Sequence, residues 1–307
     1  MYNEAMKIKE LQDILYDIYT ITEETARKVN VPVWPYSGTE IGAVREKNFI
    51  PWDDDMDIQM RYSDYLKLKP LLLKELPDYL KLVEPEDFSP YFYDFLPRIV
   101  DTRYLLREET EEDRAYNNLQ NHPSLDIFLI MQAPDSAFSR RLLYYRTLFV
   151  YVQAMNHRFS EKHEAGSVLV KAAMKGISFL GKKHSVGELY RKYLEINSKW
   201  EGRWTKTMAI MNDVLTSFQI TARTIDHTTA FLPAAWFAYS KPEGELRGRK
   251  TALPAGYHEQ LTRMYGDYMT PPEDLKAYNL HLNEEDMGEA FDAWERERNE
   301  AAGKENC

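Results

Sequence analysis

Four carboxylates fall within five residues in the run Asp53-Asp54-Asp55-Met56-Asp57, and a further one, Asp126, interrupts an apolar run from Leu125 to Ile130. If residues 53–58 are extended, side chains alternate across the two faces, so Asp53, Asp55 and Asp57 project the same way. Three anions on one face repel one another strongly unless a cation sits among them. A solvated acidic turn is the competing reading. Pro51-Trp52 before the run, with Met56, Ile58 and Met60 within and after it, mark a strand entering a core instead. Asp126 needs a partner if its strand is buried: it is either a further metal-linked carboxylate or a structural hydrogen-bonding residue. Oxygen-only ligands favour magnesium or manganese over zinc, and such a site suits in-line phosphoryl or nucleotidyl transfer.

The elements upstream supply what such a site would need. Val31 to Tyr36 reads as an extended run, and Gly38-Thr39 then opens a short helical pattern from Glu40 to Arg45. Glycine lets a ligand approach the backbone closely, and exposed N–H groups at a helix start suit a phosphate. Gly38 and Thr39 are therefore assigned to the nucleotide's phosphates. Arg45 is placed within reach of the diphosphate, with a salt bridge to the acidic strand as the equal alternative. Arg98 and Arg103 flank Asp101-Thr102 and are either a surface pair or a phosphate clamp, since guanidinium forks match phosphoryl oxygens. His122 reads as a loop histidine.

The segment Ser37 to Arg45, continued by Phe49-Ile50-Pro51-Trp52-Asp53-Asp54-Asp55-Met56-Asp57-Ile58, closely resembles the signature of the LicD family. That family includes bacterial phosphocholine transferases and relatives such as fukutin-related protein. The segment is also similar to the nucleotidyltransferase pattern of a Gly-Ser/Thr turn, Asp-x-Asp on a strand, and a third carboxylate on a later strand. Ser124 to Ile130 matches that later strand, so the resemblance makes Asp126 metal-linked. Glu40-Ile41 departs from the Leu-Leu of many relatives, which should alter helix packing and not chemistry. Tyr265-Gly266-Asp267-Tyr268-Met269-Thr270-Pro271-Pro272 again resembles a LicD C-terminal segment, with a structural role at least as well supported as ligand contact.

The resemblance implies a transferase for substituted phosphate groups. It would move a phosphorylated alcohol, phosphocholine foremost, from a CDP-linked donor to a hydroxyl of a cell-surface glycan or its lipid-linked precursor, releasing CMP. Modification of teichoic acid or capsule polysaccharide falls within that range. In this assignment Asp53, Asp55 and Asp57 hold Mg2+ or Mn2+. Asp126 completes the shell or assists deprotonation of the acceptor, and Asp55, Asp57 and Asp126 carry catalysis. A choline headgroup would need aromatic walls. Trp34, Tyr36, Trp236 and Tyr268 are candidates, with core packing the better-supported role for each. Two other classes stay open: a nucleotidyltransferase that moves a nucleoside monophosphate and releases pyrophosphate, and a non-catalytic nucleotide- or metal-binding relative.

Lys plus Arg number 39 against 49 Asp plus Glu, a net charge of −10 that argues against a nucleic-acid polymer as partner. The only cysteine is Cys307, so neither an internal disulfide nor a cysteine zinc site is available. No apolar run approaches the roughly 18 residues of a membrane span, and no signal-like segment is seen. A cytoplasmic protein is expected, compatible with transient association with a membrane surface.

The expected fold class is α+β: a nucleotidyltransferase-like mixed sheet flanked by helices over residues 1–135, then a mainly helical part over 136–307 in the same globular unit. An amphipathic helix is read over 4–29 and another from Ser63 to about Leu76, kinked at Pro70. Strands are read over Tyr79 to Val83, Phe92 to Val100 and Ser124 to Ile130. Residues 107–117 read as an exposed loop or mobile flap. Helical periodicity covers 136–156, 165–181, 185–197 and 257–265. Gly176 to Lys183 nearly spells a phosphate-binding loop but follows a helical run and ends on Lys183 where a hydroxyl is required, so it reads as a helix end. The Thr-rich stretch from Thr221 to Thr229 has no assignment, Asn283 to Arg298 reads as a charged helix, and Ala301 to Cys307 as disordered.

Overall fold

The computed structural model describes residues 6–159, 176–215, 230–239, 243–272 and 284–305. Leu11, Ile14, Leu15 and Ile18 recur at helical spacing in α1 (Ile8–Arg27), and all are buried. Each such side chain contributes on the order of 1.5–3 kcal/mol when withdrawn from water. Their stripe packs with Tyr65, Leu68 and Leu72 of α3 (Tyr62–Glu75) in one core cluster beneath a mixed sheet.

That sheet contains β1 (Trp34–Pro35), β2 (Asp57–Arg61), β3 (Leu80–Val83), β4 (Arg98–Asp101) and β5 (Ser124–Ala133), ordered β1-β2-β5-β4-β3. Only β2 and β5 run parallel; the other neighbours in that order are antiparallel. The far end of β5 pairs with β6 (Thr207–Ala209), which pairs with β7 (Phe231–Pro233), so later chain segments extend the same sheet. A hairpin of β8 (Glu243–Leu246) and β9 (Arg249–Ala252) stands apart from it. The α+β class holds, with helices against a mixed sheet.

After β5 the chain forms α5 (Ala137–Ala154) and then the helix Val186–Asn197, capped by Ser185 and Glu188 reciprocally. Tyr257–Tyr265 is helical and ends at Gly266, whose φ of 71° is the left-handed conformation glycine tolerates. Residues 160–175 and 216–229 lie outside the described residues, and with them much of the helix read over 165–181 and the Thr-rich stretch.

Three boundaries differ from expectation for local reasons. The strand read over Phe92 to Val100 is confined to Arg98–Asp101, because Phe92 and Phe95 turn away to pack with Tyr151 and Tyr193. The charged stretch 107–117 is not a bare loop: it holds α4 (Glu111–Ala115), capped by Thr110 and Asp113, whose fully buried carboxylate pairs with Arg107. The terminal helix runs Glu284–Glu305, so it continues through most of the tail expected to be disordered.

Candidate active site

The acidic run does not form a strand along its whole length. The backbone N–H of Asp53 donates to Ile50 O at 2.9 Å, closing a turn, and β2 starts only at Asp57. Gln12 Nε2 on α1 pins this turn from below, donating to Ile50 O at 3.1 Å and Asp53 O at 2.9 Å. Of the three aspartates expected on one face, only Asp57 lies in the strand itself. Asp54 and Asp55 line a cleft of about 340 Å³ together with Tyr93, Arg98, His122 and Asp126, whereas Asp53 turns toward the Gly-Thr bend.

Strand register supplies the rest. Asp57 on β2 pairs with Asp126 on β5, and Asp126 pairs in turn with Arg98 on β4. Residues opposite one another in adjacent strands share a face, so carboxylate, carboxylate and guanidinium form one row across three strands. Asp126 also accepts from Ser124 Oγ at 3.2 Å.

Arg98 sits at the closed end of that row. Its Nε lies 3.2 Å from Asp126 Oδ1 and its Nη2 donates to Asp126 Oδ2 at 3.3 Å and to Asp94. The Tyr93 ring is 4.8 Å from its guanidinium carbon. Burial alone would lower its basicity, but Asp126 and Asp94 more than offset this and hold it protonated. The guanidinium thus faces carboxylates, not open space, and orients Asp126. Arg103 is likewise occupied: it pairs with Asp101 over the Tyr79 ring. His122 Nδ1 meets Tyr104 O at 2.5 Å, as a loop histidine at the cleft rim.

On the other side, Trp34–Pro35 leads into α2 (Ser37–Ile41), with Ser37 in the left-handed region at φ 54°. Such strain recurs at functional sites. The Thr39 hydroxyl accepts from the N–H of Asp57 at 2.9 Å, so this residue fixes the start of β2. Gly38 abuts Asp53: a Cβ there would lie 2.8 Å from Asp53 Oδ2, closer than any real contact. That Oδ2 atom is buried and has no hydrogen-bond partner among the described residues. Burial, then the charges of Asp55 and Asp54, raises the Asp53 carboxyl well above the usual range, and Arg45 opposes the shift.

Arg45, in the π-helical turn Gly42–Glu46, donates through Nε to Glu46 at 2.6 Å and through Nη1 to Tyr268 O at 2.7 Å. Its Nη2 is buried without a hydrogen-bond partner among the described residues. Tyr265 Oη meets Ser37 Oγ, so the 265–272 segment braces both ends of the 37–45 turn. The four aromatic candidates serve packing in the structure. Trp34 and Tyr36 join Phe237 in one cluster, Trp236 packs against it, and buried Tyr268 bonds His258 at 2.9 Å. Sequence reasoning missed Asp54, Asp94 and Tyr93; for the last two, the only signal was their position just upstream of Arg98.

Among the described residues, no three His, Cys, Asp or Glu side chains form a ready-made metal cluster. The donor chemistry still fits a hard divalent cation: Asp54, Asp55 and Asp126 bring carboxylates to the cleft, Asp57 and Asp126 are adjacent in register, and Asp53 has a buried oxygen without a hydrogen-bond partner among the described residues. No helix among the described residues is long and apolar enough to cross a membrane.

Residues 30–157, which contain the acidic run, the Gly-Thr bend, Arg45, Arg98 and Asp126, match the family model "LicD/FKTN/FKRP, nucleotidyltransferase domain". The chain is 22% identical over 285 residues to the lipopolysaccharide cholinephosphotransferase LicD of Haemophilus influenzae, covering 90% of this chain and 97% of that protein. An uncharacterised protein of Rickettsia prowazekii is 41% identical over 58 residues, 19% of this chain and 22% of the relative. One of Rickettsia typhi is 40% identical over 58 residues, 19% of each.

Proposed function

Because the chain belongs to the LicD family, we propose that it is a divalent-metal-dependent transferase that moves phosphocholine from a CDP-linked donor to a hydroxyl of a cell-surface glycan or its lipid-linked precursor. The observation that carries this reading is the row Asp57–Asp126–Arg98 across β2, β5 and β4, opening on a cleft that Asp54 and Asp55 also line. Asp55, Asp57 and Asp126 are the residues to hold Mg2+ or Mn2+, with Asp53 contributing from the glycine side. Bound there, the ion would neutralise phosphate oxygens and ease in-line displacement.

The chain's own groups have separate tasks. Arg98 pairs with Asp126 and orients it, so that Asp126 can accept the proton of the acceptor hydroxyl. The acceptor oxygen forms its bond to the phosphorus that bears choline, the bond from that phosphorus to the bridging oxygen breaks, and CMP leaves with the electron pair. Gly38 lets the Asp53 carboxylate pack directly against the 37–41 turn, and the buried Nη2 of Arg45 offers a donor to a phosphate of the nucleotide. The similarity to the Haemophilus influenzae lipopolysaccharide cholinephosphotransferase supports choline as the transferred alcohol.

The test is CMP release from CDP-choline in the presence of a glycan acceptor, with and without magnesium or manganese. A thermal-shift panel of CDP-choline, CDP-ethanolamine, CDP-glycerol and CDP-ribitol would rank the donors. Pyrophosphate from a nucleoside triphosphate, with no CMP from any CDP-alcohol, would replace this reading with nucleotidyl transfer.

A further inference from the structure

Helix α5 is apolar on two opposite faces, but among the described residues only one of them has a partner. Leu143, Tyr144, Val150, Tyr151 and Ala154 are buried in a cluster shared with Leu189 and Tyr193. At 3.6 residues per turn, Phe138, Leu142, Tyr145 and Phe149 fall in a stripe about 60° wide on the other side. They are 76%, 51%, 47% and 43% exposed. The patch continues onto Phe179 and Leu180, 63% and 49% exposed. The end of that stretch is pressed onto α5, since a Cβ at Gly181 would lie 2.1 Å from Gln153 O. Single exposed apolar residues are ordinary; a contiguous set of large ones marks an interaction surface.

Its charge indicates the occupant. Arg146 and Lys192 line a groove of about 470 Å³ beside Tyr145 and Phe149, between α5 and the helix Val186–Asn197. Exposed Lys182 and Lys183 follow Leu180, Lys182 lying 4.9 Å over the Phe179 ring. Glu188 on this side is engaged in the Ser185 cap. A basic rim around aromatic and leucine side chains, on a chain of net charge −10, is complementary to an anionic surface. Long basic side chains at the edge of an apolar face can reach lipid phosphates while that face enters the headgroup region.

The position of the face also matters. The far end of α5 is tied to the cleft rim: Phe92 N donates to His157 O at 2.9 Å, and Arg158 Nη2 donates to Tyr93 O at 2.9 Å. Tyr93 lines the cleft.

We propose that the exposed face of α5, extended by Phe179 and Leu180, docks the protein on an anionic lipid bilayer, holding the cleft next to that surface. The inference goes beyond the transfer reaction and does not depend on it, so it is tested without donor or acceptor.

The full chain is sedimented with vesicles of phosphatidylcholine alone, or of equal parts phosphatidylcholine and phosphatidylglycerol. Binding to the anionic vesicles is expected, about tenfold or more weaker on the neutral ones or at high salt. Leu142→Ser/Phe149→Ser is expected to weaken it by about tenfold or more with an unchanged circular dichroism spectrum. Arg146→Glu/Lys192→Glu should weaken it on anionic vesicles only, and Tyr145→Trp should shift its emission to the blue when vesicles are added. Three results would overturn the proposal. They are an absence of sedimentation with anionic vesicles, equal binding by Leu142→Ser/Phe149→Ser, and a Tyr145→Trp emission that, after subtraction of the wild-type spectrum with its six tryptophans, is already blue-shifted without lipid, which would mean that the chain covers this face itself. A concentration-dependent dimer dispersed by Leu142→Ser/Phe149→Ser would assign the face to a second copy instead.

Discussion

Gly38 and Asp53 are in such close contact that one methyl group cannot be added between them: a Cβ at position 38 would sit 2.8 Å from Asp53 Oδ2 and 3.3 Å from Oδ1. The glycine is required by this approach and not by its backbone conformation, which is helical. Gly38→Ala must move the Asp53 carboxylate or the 37–41 turn. Since displacement of a positioning group by about 1 Å costs on the order of a hundredfold in rate, kcat/KM for CMP release should fall by about that factor. The helix gains from alanine, so the melting temperature should hold. Steady-state assays beside a thermal melt decide between this and a purely structural role.

The acidic residues are crowded, and removing one should relieve repulsion. Asp55→Asn and Asp57→Asn are each expected to lower CMP release by at least about a thousandfold. Stability should stay the same or rise slightly. The stabilisation of the wild-type chain by magnesium in a thermal shift should disappear in both variants. Turnover retained in either would remove that residue from catalysis.

How far the site could be read from the chain depended on the range of the contacts. The Gly-Thr bend and the placement of Asp126 on a core strand were legible because each is a local pattern: a glycine before a helix, or one carboxylate in an apolar run. The register Asp57–Asp126 is consistent with those patterns, but no spacing dictates it, because β2 and β5 are separated by two other strands in sequence. The turn at Ile50–Asp53, just ahead of the run read as extended, was not legible. What bends it is Gln12, a polar residue on a helix far upstream whose side chain caps three backbone carbonyls. Arg98 looked like a phosphate ligand for the same reason. A guanidinium beside a strand end is legible, but whether it meets phosphate or carboxylate depends on Asp94 and Asp126 closing around it.

Arg98 is nearly inaccessible, with its side chain 3% exposed, and it balances two carboxylates. Arg98→Met leaves Asp94 and Asp126 facing each other without a cation, and loss of one partner from a buried ion pair typically costs about 3–5 kcal/mol. Denaturant unfolding should show a loss in that range. Adding Asp126→Asn to Arg98→Met should recover part of it, because the two residues act as a unit. Additive losses in the double variant would show that the pair is not coupled.

Glu40 is fully buried in α2, and neither carboxylate oxygen has a hydrogen-bond partner among the described residues. Burial raises its pKa well above that of an ordinary glutamate. In the pH range between the unfolded and the folded value, the folded state binds more protons than the unfolded chain, so stability falls as pH rises through that range. Above the folded value the full cost of burying an anion is present; below the unfolded value it is absent. Glu40→Gln, which cannot ionise, should therefore melt higher than the wild-type chain at neutral and alkaline pH. The gap should close as the pH is lowered toward the ordinary glutamate range. Melting curves of the two proteins across that range measure the gap directly, and a gap that stays constant with pH would show that Glu40 keeps the same protonation state in the folded and unfolded chain.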